Sequence, residues 1–179
     1  MKKPRLIIIR GAPATGKSTL ARTLVDNFKK TDKTALLILD EFKWIMTAHE
    51  PRDKADFKIS FNNYLFALKN YLNAGYTVVT EDTWFVHPRH KDTSTNLKKV
   101  ITLARKHHAK THLLFLKASL DTVKKYNNLR KMPVWETELK DVFPQINAQT
   151  FKNEHVITID NKTPDAISKE ALSILNGNC

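Results

Sequence analysis

The stretch that decides the fold is "IIIRGAPATGKSTL", residues 7–20. An apolar run ends at Gly11, and "GAPATGKST" at 11–19 has the spacing Gly-x4-Gly-Lys-Ser. Glycines at these places let the backbone curl, so that successive N–H groups face one anion. A helix that begins here presents its positive end to the same anion. The stretch therefore predicts a strand, a phosphate-binding loop and a helix, in that order.

This loop predicts a nucleotide site with ATP and Mg²⁺ as its ligands. Lys17 is expected to reach the β- and γ-phosphates, and the Ser18 hydroxyl is expected to ligate the metal ion. Thr19 is expected to meet the α-phosphate. The predicted nucleotide-binding residues are Gly11, Ala12, Pro13, Ala14, Thr15, Gly16, Lys17, Ser18 and Thr19.

Five short apolar runs recur along the chain, at 5–9, 35–39, 76–80, 111–116 and 155–159. They are continuous rather than alternating, which is typical of parallel strands covered on both faces. Helical apolar periods lie between them. We therefore predict an α/β fold, a three-layer P-loop NTPase resembling nucleotide kinases, with five parallel strands in the order 2-3-1-4-5. Residues 1–179 are predicted to form one domain. The segment 131–150 does not extend the core pattern, and 120–150 is predicted to be a lid or substrate-side insertion.

Two acidic pairs follow predicted strands. Asp40 and Glu41 come after the second run, and Glu81 and Asp82 come after the third. Ligands of open α/β sheets bind beyond the carboxyl ends of the strands. Asp40 is therefore predicted to take the proton of an acceptor hydroxyl, and Glu81 or Asp82 to hold Mg²⁺ through water. The pattern leaves open which of those two faces the metal. The alternative for Asp40 and Asp82 is helix capping.

Beyond the loop, three short segments carry a family resemblance. They are "DEFK" at 40–43, "EDT" at 81–83 and "YNNLR" at 126–130. With these segments the chain resembles the small P-loop kinases that include polynucleotide kinase, chloramphenicol phosphotransferase and zeta-toxin-like kinases. The resemblance implies a lid whose Arg130 stabilises the transferring phosphoryl group. The alternative for this segment is an amphipathic helix with a solvated basic face.

The chain departs from that family pattern at two positions. Lys43 and Tyr126 stand where the pattern has arginines. A lysine grips a phosphate less firmly than an arginine, because it lacks the bidentate fork. Candidates to supply the charge missing at Tyr126 are Lys124, Lys125 and Lys131.

The loop alone does not distinguish a kinase from a GTPase or a motor. "NKTPD" at 161–165 lacks the aspartate that a guanine-reading segment has at its fourth place, and the chain is small for a motor. We therefore predict an ATP-dependent kinase that transfers the γ-phosphoryl group to a hydroxyl. A nucleoside, a nucleic-acid 5′ end, an amino sugar and an antibiotic hydroxyl remain open as acceptors. The alternatives are an RNA-binding NTPase switch with little transferase activity and a partner module with a structural nucleotide.

Composition limits the partners and the compartment. The formal net charge of +12 is spread over several helices, so it predicts either solvated surface or a nucleic-acid partner. No apolar run reaches membrane length, and "MKKPRLIII" is interpreted as the first strand rather than a signal peptide. The single cysteine, Cys179, favours a cytoplasmic location. We expect a monomer or weak dimer.

Other polar and aromatic residues near the strand ends are weaker candidates. Arg89 could contact an anionic substrate. The histidines lack the acidic or cysteine neighbours of a metal site, including the closely spaced His87 and His90. Three tryptophans could stack on a base or pack under the loops: Trp44, Trp84 and Trp135.

Overall fold

Five parallel strands form the sheet of this protein, in the order β2-β3-β1-β4-β5. This computed structural model describes residues 3–47, 54–84 and 94–177. The strands are β1 (Arg5–Gly11), β2 (Thr34–Ile38), β3 (Thr77–Glu81), β4 (Lys110–Lys117) and β5 (Glu154–Thr158). The predicted fold and strand order are confirmed.

Seven helices connect and cover the strands in the described ranges. They are α1 (Lys17–Phe28), α2 (Leu39–Thr47), α3 (Lys54–Asn73), α4 (Ser94–Lys106), α5 (Leu120–Asn128), α6 (Glu136–Ala148) and α7 (Pro164–Asn176). Within those ranges, no helix combines the length and the apolar character that crossing a membrane requires.

The strand register brings the ends of three strands together. Ile9 in β1 pairs with Glu81 in β3, and Glu81 pairs in turn with Ile38 in β2. On the other side of β1, Gly11 pairs with Leu116 in β4. The start of the phosphate loop and the acidic ends of β2 and β3 therefore share the carboxyl edge of the sheet.

Both faces of the central strands β1 and β3 are buried, which explains their continuous apolar runs. In β1, Leu6 and Ile8 pack into one cluster with α3 and α4, while Ile7 and Ile9 pack into a second cluster with α1, α6 and α7. All four side chains are fully buried. A central strand covered on both faces has no position left for a polar alternation.

The prediction that 131–150 does not extend the core is wrong. Leu139 and Ile146 of α6 are 1% and 0% exposed and belong to the cluster around Ile7 and Ile9. Val142 and Phe143 pack against the same cluster. These four residues have the i, i+3, i+4, i+7 spacing of a buried helix face, a period that Pro144 inside the helix obscures.

Residues at the start of α7 and after the end of α3 have the local chemistry of helix ends. The Thr163 side chain accepts a hydrogen bond from the Ala166 N–H, and Pro164 is the first residue of α7. Gly75 has φ +77 after α3, the left-handed conformation that ends a helix. The chain can therefore turn at once into β3.

A fully buried arginine ties β1 to the far side of the sheet. Arg10 forms an ion pair with the buried Glu154 at the start of β5, and its guanidinium donates to the carbonyl oxygens of Ile146 (3.3 Å) and Gln149 (2.5 Å). The rings of Phe115 and Phe151 lie 3.9 and 4.8 Å from its carbon Cζ. Each is close enough for a cation–π contact. Arg10 thereby joins β1, β4, β5 and the end of α6.

We predict that breaking this pair destabilises the protein more than removing both charges. Glu154→Leu leaves an uncompensated buried charge, and we expect a loss of about 3–5 kcal/mol in the free energy of unfolding. The double variant Arg10→Met/Glu154→Leu should recover at least half of that loss, because no lone charge stays behind. Urea unfolding of both variants measures this. Strictly additive losses in a double-mutant cycle would contradict it.

Candidate active site

The loop between β1 and α1 leaves no room for a side chain at Gly11. A Cβ atom there would lie 2.7 Å from the Leu116 carbonyl oxygen and 2.8 Å from Thr15 Oγ1. Gly16, just before α1, has φ +83, a left-handed conformation that suits glycine. The Thr15 hydroxyl donates to the Ala12 carbonyl at 2.9 Å and so closes the curl of the loop. The two glycines of the motif thus answer two separate backbone requirements.

Lys17 lies at the start of α1 with its ammonium folded back over the loop. Its Nζ donates to the Ala12 carbonyl at 2.9 Å. Burial lowers the pKa of Lys17, and the nearby carboxylates of Glu81, Asp82 and Asp40 act against that shift. The carbonyl contact leaves the ammonium without an anion bonded to it among the described residues. This is the state in which a phosphate oxygen is the natural next partner.

Ser18 and Glu81 are in direct contact. The Ser18 hydroxyl donates to Glu81 Oε1 at 2.7 Å. Burial raises the pKa of Glu81, while the charge of Lys17 and the Ser18 hydrogen bond lower it. The two acidic residues left open by the sequence thus occupy different places, and Glu81 is the one beside the Ser18 hydroxyl.

Asp82 faces Lys43 of α2 instead. Its Oδ1 accepts from the Thr83 N–H at 2.6 Å, and its Oδ2 lies 4.0 Å from Lys43 Nζ. Burial raises the pKa of Asp82, and Asp40 raises it further, whereas Lys43 opposes the shift. Asp82 is therefore held between a backbone donor and a lysine.

Asp40 lies inside the first turn of α2 rather than at the cap position, because the helix begins at Leu39. Its exposed carboxylate accepts from Lys43 Nζ at 2.5 Å. The position at which the family pattern has an arginine thus bridges two carboxylates, Asp40 and Asp82. In this arrangement the Lys43 ammonium contacts acidic side chains of the protein rather than being available for a phosphate.

The oxygen atoms at this edge fit a magnesium ion of the kind that nucleotides carry. Ser18 and Glu81 supply hard oxygen donors beside the loop, as Mg²⁺ prefers. In the described part of the chain, no group of three or more His, Cys, Asp or Glu side chains converges on one point. A few protein oxygens are the expected complement when phosphate and water oxygens complete the coordination.

Arg130 lies on a short loop between α5 and α6. The buried Asn127 side chain closes the base of this loop by bonding the backbone of Val134 twice, at 2.9 and 3.0 Å. Arg130 is exposed. Burial is the main cause that lowers the pKa of Lys17, and the positive charge of Arg130 makes the smallest contribution.

A cavity of about 250 Å³ lies on the other side of the phosphate loop. Its wall includes Thr15, Gly16 and Thr19 from the loop, Tyr126 from α5 and Lys162 from the segment before α7. Tyr126 thus lines a pocket beside the loop. Three lysines were candidates to supply the positive charge that the family pattern has at position 126. Lys125 and Lys131 are exposed, and the charge of Lys124 contributes to the lowered pKa of Glu136.

The remaining sequence candidates divide into three groups. Trp84 is buried in the cluster with Tyr64, with φ +44, and Trp135 is 80% exposed. The Trp44 side chain lies outside the described part of the structure. His87, Arg89, His90 and Cys179 lie outside the described residues. Sequence reasoning missed the cavity at Tyr126, whose walls come from segments far apart in the chain.

A family model described as "AAA domain" matches residues 6–142. No curated protein is significantly similar to the chain. A gluconokinase from Sinorhizobium meliloti has a similar structure, with 14% identity, a TM-score of 0.67 and coverage of 99% of this chain and 95% of that one.

Two further structures align over nearly their whole length. They are the APS kinase of Mycobacterium tuberculosis in complex with AMPPNP and APS (13% identity, TM-score 0.66, 98% of this chain and 99% of that one) and the thymidylate kinase of Candida albicans (18%, 0.65, 98% and 92%). At such low identities the similarity shows the fold.

We predict that Glu81→Gln stabilises the free protein while it weakens Mg²⁺-dependent nucleotide binding. A raised carboxyl pKa means that the folded state holds the proton more tightly than the unfolded state does, so ionisation of Glu81 disfavours folding. Glutamine removes the charge and still accepts from Ser18. We expect the Tm at neutral pH to rise by about 2–4 °C, the effect of about 1 kcal/mol in a chain of this size.

The pH dependence separates this effect from a general one. The gain should shrink as the pH falls through the raised pKa of Glu81, because the wild-type side chain is then neutral as well. Glu138→Gln, an exposed carboxylate on α6, is the matched control and should leave the Tm unchanged. An unchanged or lower Tm for Glu81→Gln at neutral pH would contradict the prediction.

Proposed function

We propose that this chain, which belongs to the AAA domain family of P-loop kinases, is an ATP-dependent phosphotransferase that delivers the γ-phosphoryl group to a hydroxyl. One observation supports this above all: the Ser18 hydroxyl, next to Lys17 in the phosphate loop, donates to Glu81 Oε1 at 2.7 Å, so the loop and the acidic end of β3 meet. A phosphoryl transfer needs a cation at the phosphates, oxygens beside the metal and a carboxylate at the acceptor.

The loop residues from Gly11 to Thr19 would hold the phosphates, and Ser18 and Glu81 would hold the metal side of the nucleotide. When bound, Mg²⁺ supplies neutralisation of the phosphate charge. Lys17 exchanges its Ala12 carbonyl for a phosphate oxygen, a stronger, charge-assisted partner. Because Lys17 gives up only a neutral carbonyl, no ion pair within the protein has to break before the phosphate binds.

Asp40 is proposed to orient the acceptor hydroxyl and take its proton. It is exposed at the carboxyl edge, where an acceptor could approach, whereas Glu81 and Asp82 are largely buried. Lys43 holds the Asp40 carboxylate in place through its 2.5 Å hydrogen bond. A positioned carboxylate is a suitable acceptor for the proton of a hydroxyl.

Arg130 is proposed to stabilise the transferring phosphoryl group. The moving part is expected to be the tip of its loop, the residues between Asn127 and Val134. The following helix α6 is anchored in the core by Leu139 and Ile146 and is not expected to move. A short closing tip excludes water from the reacting phosphate.

The cavity beside the loop is proposed to take the nucleotide base. A base bound there stacks on the Tyr126 ring while its phosphates run across the Thr15–Thr19 side of the loop. In this view Tyr126 replaces a cationic residue of the family pattern by an aromatic platform. Stacking tolerates different bases, because every base has a π face.

The proposed function is tested with γ-labelled ATP and a panel of hydroxyl acceptors: nucleosides, nucleic-acid 5′ ends, amino sugars and hydroxylated antibiotics. Label on one acceptor supports the proposal, and Lys17→Ala is the inactive blank. ATP hydrolysis without any labelled acceptor, together with RNA binding, would favour the NTPase switch instead.

We predict that Asp40→Asn lowers the transfer rate by about 10²–10⁴-fold, the usual contribution of a positioned base. Nucleotide affinity should change little, because Asp40 lies on the acceptor side. Single-turnover transfer and calorimetry with a non-hydrolysable ATP analogue measure the two quantities. Glu41→Gln is the matched control, because Glu41 is the adjacent exposed carboxylate and lies 4.0 Å from Arg22. The Glu41→Gln variant should transfer the phosphoryl group at the wild-type rate. Equal rates for wild type and Asp40→Asn would reduce Asp40 to a helix residue.

We predict that Tyr126→Ala weakens nucleotide binding about tenfold or more, the scale of one lost stacking contact of about 1–3 kcal/mol. Tyr126→Phe retains the ring and should bind like wild type. Calorimetry with the same analogue measures both, and inorganic triphosphate is the ligand control, because it has no base to stack. A Tyr126→Ala defect of equal size toward triphosphate would place Tyr126 at the phosphates.

A further inference from the structure

A groove lies away from the phosphate loop, on the outer surface of α3 and α4. It has a volume of about 690 Å³. Three apolar side chains, Leu65, Phe66 and Leu103, form its floor, and four lysines surround them: Lys69, Lys98, Lys99 and Lys106. We call it the α3/α4 groove. We propose that it binds single-stranded nucleic acid.

Charge gives the first argument. No acidic side chain lines the groove. The sequence of α4, "STNLKKVITLARK", contains four cationic residues and no acidic one. Two of them, Lys98 and Lys106, are separated by about 12 Å along the helix. The groove therefore offers a row of cations to a polyanion.

The exposed aromatic ring gives the second argument. Phe66 is 65% exposed, and it lines the same groove as the four lysines. A cationic groove with an aromatic face is the combination by which proteins hold single strands, because phosphates meet the cations and bases stack on the ring. A second aromatic residue, Phe61, contacts one of the groove lysines, since Lys99 Nζ lies 5.9 Å from the centroid of its ring.

The shape of the floor disfavours a docked protein helix. An amphipathic helix needs a strip of apolar anchors at i, i+3, i+4 and i+7. Only three apolar side chains line the groove, against four lysines. A chain with one charge per nucleotide matches this ratio better than an apolar helix face does.

The groove also has a direction. In this parallel α/β fold the helices α3 and α4 both run antiparallel to the strands, so their N-terminal ends lie at the carboxyl edge of the sheet. Lys98 and Lys99 are nearer to that edge than Lys106 and Lys69. A strand in the groove would thus point one end toward the side on which the phosphate loop lies.

Binding is tested by fluorescence anisotropy with a labelled oligouridylate of about a dozen nucleotides. Four phosphate contacts predict a slope of log Kobs against log[salt] of about −3. Lys98→Gln/Lys99→Gln should reduce the slope to about −1.5. The matched control is Lys30→Gln/Lys33→Gln, which removes the same charge from exposed sites after α1 and should leave the slope near the wild-type value. Equal slopes for the two double variants would overturn the proposal.

The aromatic floor is tested separately. Phe66→Ala should weaken binding of the single strand about tenfold, which corresponds to about 1.4 kcal/mol, whereas Phe66→Trp should keep or improve it. A duplex of the same length hides its base faces, so Phe66→Ala should not affect duplex binding. An acidic helical peptide that binds the groove while the oligouridylate does not would overturn the proposal in favour of a protein partner. None of these measurements requires catalysis, so they stand apart from the proposed phosphotransferase activity.

Discussion

The buried ion pair of Arg10 and Glu154 is the constraint from which the arrangement of the site follows. Arg10 is the last residue before Gly11, so any shift of its guanidinium would move the start of the phosphate loop. Its partners belong to β5 and to the end of α6, and two phenylalanine rings enclose it. A buried charge is stable only with its full set of partners. The sheet, α6 and the loop are therefore fixed together, and the loop enters the site with a defined backbone.

The site concentrates charged groups whose ionised forms are disfavoured by burial. Burial lowers the pKa of Lys17 and raises the pKa values of Glu81 and Asp82, so that both signs of charge are disfavoured in the free protein. Such groups are kept at functional sites because a ligand relieves them. An anionic nucleotide with its cation adds the two charges that the cluster lacks. These buried charges lower the stability of the free protein and favour binding of a ligand that compensates them.

The sequence predicted the sheet and the loop because both depend on local patterns. Five continuous apolar runs and one glycine motif are sufficient to predict five parallel strands and the place of Lys17. The division of labour between Glu81 and Asp82 could not be predicted, because adjacent residues at a strand end differ only in which face each side chain takes. The position of Tyr126 was equally hidden, since the cavity that it lines is formed by α1, α5 and the segment before α7. The role of α6 was misjudged because Pro144 masks a regular apolar period.

The core position of α6 limits how this site can close. Val123 and Leu139 anchor the helices on both sides of the Arg130 loop, and Asn127 closes the loop at its base. A rigid domain closure would have to pull these residues out of the core, each at a cost of a few kcal/mol. Movement of the loop tip alone costs far less. Such a small movement would be productive only if Arg130 starts close to the phosphate loop, and the short connection between α5 and α6 favours this. The fold therefore favours a site that is largely preassembled, in which the arginine needs to travel a short distance and the phosphate loop does not need to move.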